Sequence, residues 1–504
     1  MNLIIKDAFR QILWRIASAI WGFLVIKMLT PYLGTLRMWD YGTIVNYFAM
    51  FWALADFWLY VVAMRELGKL KKKHENNINH PEVELYYHKF FSSRVFTICC
   101  VYAIALIIAY MIPAYTANPY ITVGLPLGMI FSASFMLSGI LQVPLQLSRS
   151  MKQLSISLVF ARFMQLGIIA LTVYVRHTGA IFPSDTPNIA PFLLVMWSVV
   201  ASGLTQLIYV YIIGNKKMKL KRVWDRDFTL HQIKNNRQYG TAYFLSSMHT
   251  LIVFQLLGIL FPTVQDFDFA GEYYVALTLL TIMLIVPSAI WNSLMQDMGE
   301  TDIDTKKKRY GSLMLLVLVL GIVVSANFIV FARDIILFIG NADYLWVDGS
   351  FGADTVLMFM WVVLTLSFIK QVYNYFFVTQ HLHNNLLKIN LFWVVWWLLI
   401  WRPLMIVYKL PGAVATQILL ELLFVIGTLY IWRRNKSLIP ISVSSSLIVR
   451  MICVVAVVLW WLYMFPKINS LYPHRYIWIA QALVMNLIIW WLLLTPMKKV
   501  MKGL

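Results

Sequence analysis

Long apolar stretches separated by short polar connections recur fourteen times along the chain. They run over residues 12–33, 41–64, 91–112, 119–147, 153–175, 191–213, 239–261, 271–295, 312–333, 354–379, 386–408, 411–432, 447–465 and 475–495. Most reach the roughly 20 residues an α-helix needs to cross about 30 Å of hydrocarbon. Backbone groups in lipid must be satisfied within the segment, so the pattern predicts helices; a barrel would show short alternating segments. The fourth stretch contains Pro126 and Pro144 and is long enough to tilt or break. The expected fold class is an all-α polytopic membrane protein of about 14 transmembrane helices. The first run is too long for a cleavable signal and lacks a small-residue cleavage site, so it is expected to be a retained span.

Spans six and seven are separated by the longest basic connection, which divides the first twelve into two sets of six. The expected organisation is an N-terminal lobe (1–213), a basic linker (214–238), a C-terminal lobe (239–432), and an extra helical hairpin with a tail (433–504). An even number of spans in each lobe makes them parallel repeats related by a pseudo-two-fold axis along the membrane normal, a common plan for alternating-access transporters.

Charge then orients the pattern. The even-numbered connections and the termini carry 29 Lys and Arg, against four clearly placed in the odd-numbered connections: Arg37, Arg176, Lys409 and Lys467. This asymmetry predicts that both termini and residues 65–90 and 214–238 face the cytoplasm. The net charge of +20 resides largely in these short connections, where topology and anionic headgroups explain it, so nucleic acid is not expected as a partner. Hydrophobic residues make up 61% of the chain and charged residues 13%, and no connection could house a sizeable water-soluble domain. Cys99, Cys100 and Cys453 all lie in spans, which excludes a disulfide framework and a Cys-rich metal site.

Ionisable residues inside spans carry the functional argument, since they are costly in lipid and face a wet cavity or a partner. At about 1.5 Å per helical residue, Asp56 lies about 12 Å from its span's inner end, Arg162 and Lys370 about 14 Å, and Glu421 about 16 Å. Lys27 and Arg402 lie nearer the outer face; Arg15 and Arg94, near the inner one, are expected to snorkel. Two readings stand side by side. Asp56 with Arg162 and Lys370 with Glu421 could be structural ion pairs between helices. Alternatively, Lys27, Arg162, Lys370 and Arg402 could line a cationic site for a pyrophosphate, with Asp56 and Glu421 as coupling or pairing groups. Ser367, Gln371 and Asn374 form a polar stripe beside Lys370, which favours a cavity or a partner helix over lipid.

Other chemistry is not indicated. No Walker pattern is present, so the chain is not expected to hydrolyse ATP. His381 and His383 read as an interfacial turn rather than metal ligands, and Gly124 with Gly128 reads as helix packing. No catalytic residue, cofactor or bound metal is expected, and the chain does not read as an enzyme.

Several local motifs nevertheless share a source. Tyr32-Leu33-Gly34, Asp40-Tyr41-Gly42, Ala55-Asp56-Phe57 and Arg65-Glu66 resemble the amino-terminal pattern of the oligosaccharide-lipid flippases, the O-antigen and polysaccharide exporters. Gly258 to Phe261, Ala270-Gly271-Glu272-Tyr273-Tyr274-Val275-Ala276, Ile285 to Ala289, and Leu410 to Thr416 with Glu421 resemble later parts of the same family. The likeness covers most of residues 1–432. Trp39 and Trp58 stand where members commonly carry Gly. The resemblance implies the multidrug/oligosaccharidyl-lipid/polysaccharide exporter superfamily, whose members have two lobes around a cavity that opens to one side at a time. It further implies a lipid-linked oligosaccharide as substrate, membrane lipids and polysaccharide-assembly proteins as partners, and multi-pass residence in a bacterial inner membrane. A coupling cation, proton or sodium, could be carried by Asp56 or Glu421. Fourteen spans also resemble the related lipid II flippases, whose last two spans form a groove for the lipid tail. The alternatives are a multidrug antiporter of the same superfamily and a membrane-embedded polysaccharide polymerase or ligase. An antiporter would favour acidic sites. A polymerase or ligase would need a substantial outer loop bearing Arg or His.

Overall fold

The computed structural model describes residues 2–56, 59–75, 77–148, 150–178, 189–221, 223–232, 234–235, 241, 268–298, 303–340, 342–345, 351–379, 383–434, 453–465 and 477–503. Apart from Thr241, the seventh expected span, 239–261, lies outside them, as do Trp58 and His381. All regular structure among the described residues is helical. Seven of the described helices are long and apolar enough to cross a membrane, and three shorter apolar helices lie at Ala270–Leu284, Cys453–Phe465 and Ile477–Leu493. Large apolar side chains such as Ile107, Leu171, Leu487 and Trp491 are strongly exposed, which suits a surface that meets lipid tails. The protein is an all-α, multi-pass membrane protein. Its contacts define two compact units, Met1–Tyr274 and Val275–Leu504, and the division falls inside one helix.

The first unit contains α1 (Asn2–Asp56), α2 (Leu59–Lys73), α3 (Pro81–Met111), the single turn α4 (Pro113–Thr116), α5 (Pro119–Leu141), α6 (Val143–Leu147), α7 (Met151–Thr178), α8 (Ile189–Lys217) and the start of α9 (Asp268–Met298). Helix α1 joins the first two expected spans through a bend at Gly34, whose φ of 68° and ψ of 178° suit a residue without a Cβ. Asn118 caps α5 by accepting from the Tyr120 N–H, with Pro119 at its first turn. The expected break in the fourth stretch falls at Gln142, and Pro144 lies in the first turn of α6. Pro126 stays within α5. Gly124 and Gly128 admit Ile44 so closely that a Cβ at either would collide with it, which makes them helix-packing positions. Trp39 is 1% exposed and is part of the core.

Part of the basic linker is seated on α3. The Lys221 N–H donates to His88 Nδ1 at 3.2 Å, Ser93 and Thr229 hydroxyls meet at 2.7 Å, and the Phe228 ring packs edge-on against Phe90. Lys89 bonds Asp225 at 2.8 Å, and that hydrogen bond holds the Asp225 carboxyl below the usual carboxylate range. The pair's contribution is present at neutral pH and is lost as pH falls through the lowered value.

The second unit continues α9 and adds α10 (Ile303–Ile339), α11 (Ala353–Thr379), α12 (His383–Arg434), α13 (Cys453–Phe465) and α14 (Ile477–Gly503). Helix α12 folds back at Lys409, where φ is 49° and ψ −121°, and its two arms are tied by the Trp393 indole N–H donating to the Leu420 carbonyl at 3.0 Å. The two C-terminal helices pack on α10 through Val319, Val323, Phe331, Val458, Met485 and Ile489. Within that apolar seam Asn327 and Asn486 exchange amide hydrogen bonds of 2.9 and 3.0 Å. A complementary amide pair in an apolar seam sets helix register: each amide nitrogen also bonds a carbonyl of its own helix, but a one-residue slip would leave both amide oxygens without a partner.

Candidate functional site

Two sequence segments more than 200 residues apart meet in the first unit. Gly42, just past the bend of α1, faces Tyr274 of α9 so closely that a Cβ would lie 2.6 Å from the ring. One helical turn away, Gly271 lies against the Thr35 carbonyl, and a Cβ there would collide with backbone. The Tyr41 and Tyr274 rings sit edge to face with centroids 6.2 Å apart. These are the Asp40-Tyr41-Gly42 and Ala270-to-Ala276 motifs noted in the sequence, and their glycines are what permit the approach.

Arg162 of α7 lies beside this junction. Its guanidinium donates to the Gln165 side-chain oxygen at 2.8 Å, and the phenols of Tyr41 and Tyr274 lie within its electrostatic reach. Gln165 is buried, whereas Arg162 is only partly so. No carboxylate among the described residues pairs with Arg162. Among the described residues the guanidinium is thus held by a neutral amide oxygen rather than by a carboxylate.

Lys370 of α11 is held differently. Its ammonium bonds Glu421 Oε1 of α12 at 2.8 Å, with Lys370 7% and Glu421 1% exposed. Ser367 donates to the same oxygen at 3.1 Å, and the Phe424 ring lies 5.5 Å from the ammonium. The helical spacing explains the arrangement: Ser367 and Lys370 are three apart on α11, and Glu421 and Phe424 are three apart on α12. In this half of the polar stripe, Ser367 faces the partner helix; the Asn374 side chain lies outside the described residues.

The other sequence candidates are placed less closely. Lys27 sits on α1, partly buried. The side chains of Asp56 and Arg402 lie outside the described residues, although the backbone of both is helical. Thr97 donates to the carbonyl of Ala55 at 2.8 Å, so α1 runs beside α3 next to Asp56.

Two charged groups were not anticipated. Arg94, expected to snorkel, is instead 2% exposed and bonds the Met136 carbonyl of α5 at 3.4 Å. The preceding turn of α3 carries the linker contacts at His88, Lys89, Phe90 and Ser93. Asp40 is fully buried; it bonds Arg37 at 2.8 Å and accepts from Asn118 at 2.7 Å, while Arg37 lies 3.5 Å over the Tyr120 ring. This cluster ties the bend of α1 to the capped start of α5. The lone basic residue Arg37 beside an Asp-Tyr-Gly motif was the available signal.

With this geometry in hand, the fold can be matched. No family model matches the chain, and no curated protein matches it. Solved structures do. The lipid II flippase MurJ, in an inward closed conformation, superposes with a TM-score of 0.57 at 13% identity, covering 95% of this chain and 97% of that one. The Vibrio cholerae MATE transporter VcmN gives 0.57 at 10% identity, with coverages of 86% and 97%. An inward-facing multidrug resistance MATE transporter of the MOP superfamily gives 0.53 at 12% identity, with coverages of 85% and 94%. The chain shares the fold of these solved structures.

Proposed function

We propose that the protein is a flippase that moves a polyprenyl-pyrophosphate oligosaccharide across a bacterial inner membrane by alternating access, for polysaccharide export. The observation that carries this reading is Arg162. A guanidinium held in a span by Gln165 and within reach of two tyrosines is suited to an anionic headgroup and ill suited to a cationic drug. Planar paired donors match phosphate oxygens, and an unpaired pyrophosphate could not cross the hydrocarbon.

Chain coverage supports the flippase side of the superfamily. The likeness to MurJ covers 95% of the chain and that to VcmN 86%. The residues left over by VcmN are about as many as follow residue 432. The C-terminal helices α13 and α14, docked on α10 by the Asn327–Asn486 pair, would then serve the lipid tail. The distribution of Lys and Arg supports cytoplasmic termini and a cytoplasmic 214–238 linker. In this reading Lys370 is neutralised by Glu421, which leaves Arg162 as the principal headgroup cation, with Lys27 and Arg402 as further candidates. A proton or sodium ion would couple the cycle.

The test is reconstitution. Purified protein in liposomes should translocate a labelled undecaprenyl-pyrophosphate sugar, and a sulfated or phosphorylated lipid should compete. Extrusion of a cationic dye with no movement of the lipid-linked sugar would assign it to drug export instead.

A further inference from the structure

The connection between α2 and α3 carries a cluster that the transport reading does not use. His74 ends α2, His80 caps α3, and Glu82 lies in the first turn of α3. One ligand atom from each lies within 4.8 Å of the other two. The His74 and His80 rings are stacked with centroids 3.6 Å apart and planes 11° from parallel, and His74 Nε2 meets Glu82 Oε2 at 2.5 Å. We propose that His74, His80 and Glu82 form a binding site for a borderline divalent metal ion, zinc first, which clamps the end of α2 to the start of α3.

The chemistry of the donors supports this. Two imidazoles and a carboxylate are a common zinc donor set, and such a set leaves a fourth position for water. His80 Nδ1 accepts from the Glu82 N–H at 3.3 Å, which fixes the ring as an outer-shell hydrogen bond does for a metal ligand and leaves Nε2 as the ring's other ligand nitrogen. A tetrahedral site with bonds of about 2.1 Å needs ligand atoms roughly 3.4 Å apart, which is inside the 4.8 Å within which the three ligand atoms lie.

The backbone is bent to bring the groups together. Glu75 adopts a φ of 52°, a left-handed conformation uncommon for a residue with a Cβ, and it turns the chain back immediately after His74. The Asn77 N–H closes that turn on the His74 carbonyl at 2.8 Å. Strained non-glycine residues gather where a constellation must be held. The basic neighbours do not block the site. Lys71 is occupied with the Leu147 carbonyl at 2.8 Å, and Lys73 reaches Glu82 only at 3.6 Å from a well-exposed position, free to swing away as an ion enters.

The test titrates the intact protein, purified in detergent through a tag without histidine, with zinc chloride against a chromogenic chelator. One zinc per chain is expected, with a rise in the unfolding midpoint. His80→Asn is the decisive variant, because Asn still caps α3 while losing the ligand nitrogen. It should lower zinc affinity roughly 10-fold or more and abolish the zinc-dependent midpoint shift, with the zinc-free midpoint unchanged. Glu82→Gln should weaken zinc in the same way. Equal zinc affinity in the wild type and His80→Asn, or no zinc bound at micromolar concentrations, would overturn the site.

Discussion

Arg162 and Lys370 are expected at the same depth, one in each unit, yet the protein treats them oppositely. Lys370 is buried against Glu421 and shares that carboxylate with Ser367. Arg162 is partly accessible and is bonded by a neutral glutamine near two phenols. The first arrangement cancels charge between α11 and α12, and the second preserves it. Charge and depth alone therefore do not reveal a residue's role; whether a carboxylate sits within bonding distance does. Lys370 is in contact with a carboxylate of the neighbouring helix, whereas Arg162 has no carboxylate partner among the described residues, and on the proposed function it is Arg162 that meets the substrate.

The largest expected effect breaks the pair. Lys370→Ala would leave Glu421 buried without its cation, at a cost of about 3–5 kcal/mol. Thermal unfolding in detergent and protein abundance in membranes should both fall. Adding Glu421→Ala should restore most of the loss. If Lys370→Ala is as abundant and as stable as the wild type, Lys370 is not a structural partner and the contrast with Arg162 disappears.

A smaller effect is expected on the other side. Gln165→Leu removes the hydrogen bond that holds the Arg162 guanidinium, worth about 1.5–3 kcal/mol for a charged donor. The unfolding midpoint should drop and Arg162 should lose its fixed position. A Gln165→Leu protein with full transport and an unchanged midpoint would show that Arg162 needs no positioning. Gly42→Ala should cost about 1–3 kcal/mol, because its Cβ would lie under 3 Å from the buried Tyr274 ring and the ring or its helix must shift. Its informative readout is transport, which should fall further than stability as Tyr274 is pushed from beside Arg162.

The sequence made the membrane class, the helices and most of their limits legible, because hydrocarbon imposes both apolarity and length. It allowed for a break in the stretch holding Pro144 and offered the pairing of Lys370 with Glu421 as one of two readings, and helical spacing put Ser367 on the face beside Lys370. It did not reveal that Gly42 and Gly271 bring α1 and α9 together, because contact between distant segments leaves no local periodicity. Arg94 was misjudged for a similar reason: closeness to a boundary permits snorkelling, but the contact with the Met136 carbonyl of α5, 42 residues away, is not visible in the sequence. Asp40 was missed because a short connection looks solvated until Asn118 and Arg37 are seen to enclose it.

The central claim is that Arg162 is the cation that receives the substrate's pyrophosphate. The direct measurement is the rate of lipid-linked sugar translocation in liposomes carrying equal amounts of folded wild-type, Arg162→Ala and Arg162→Lys protein. The account predicts that Arg162→Ala loses translocation by about 10-fold or more with a nearly unchanged unfolding midpoint, a drop of at least about 1.4 kcal/mol in transition-state stabilisation. Arg162→Lys should retain part of the rate, since sign is kept and only the paired donor geometry is lost. Translocation by Arg162→Ala at the wild-type rate would contradict it.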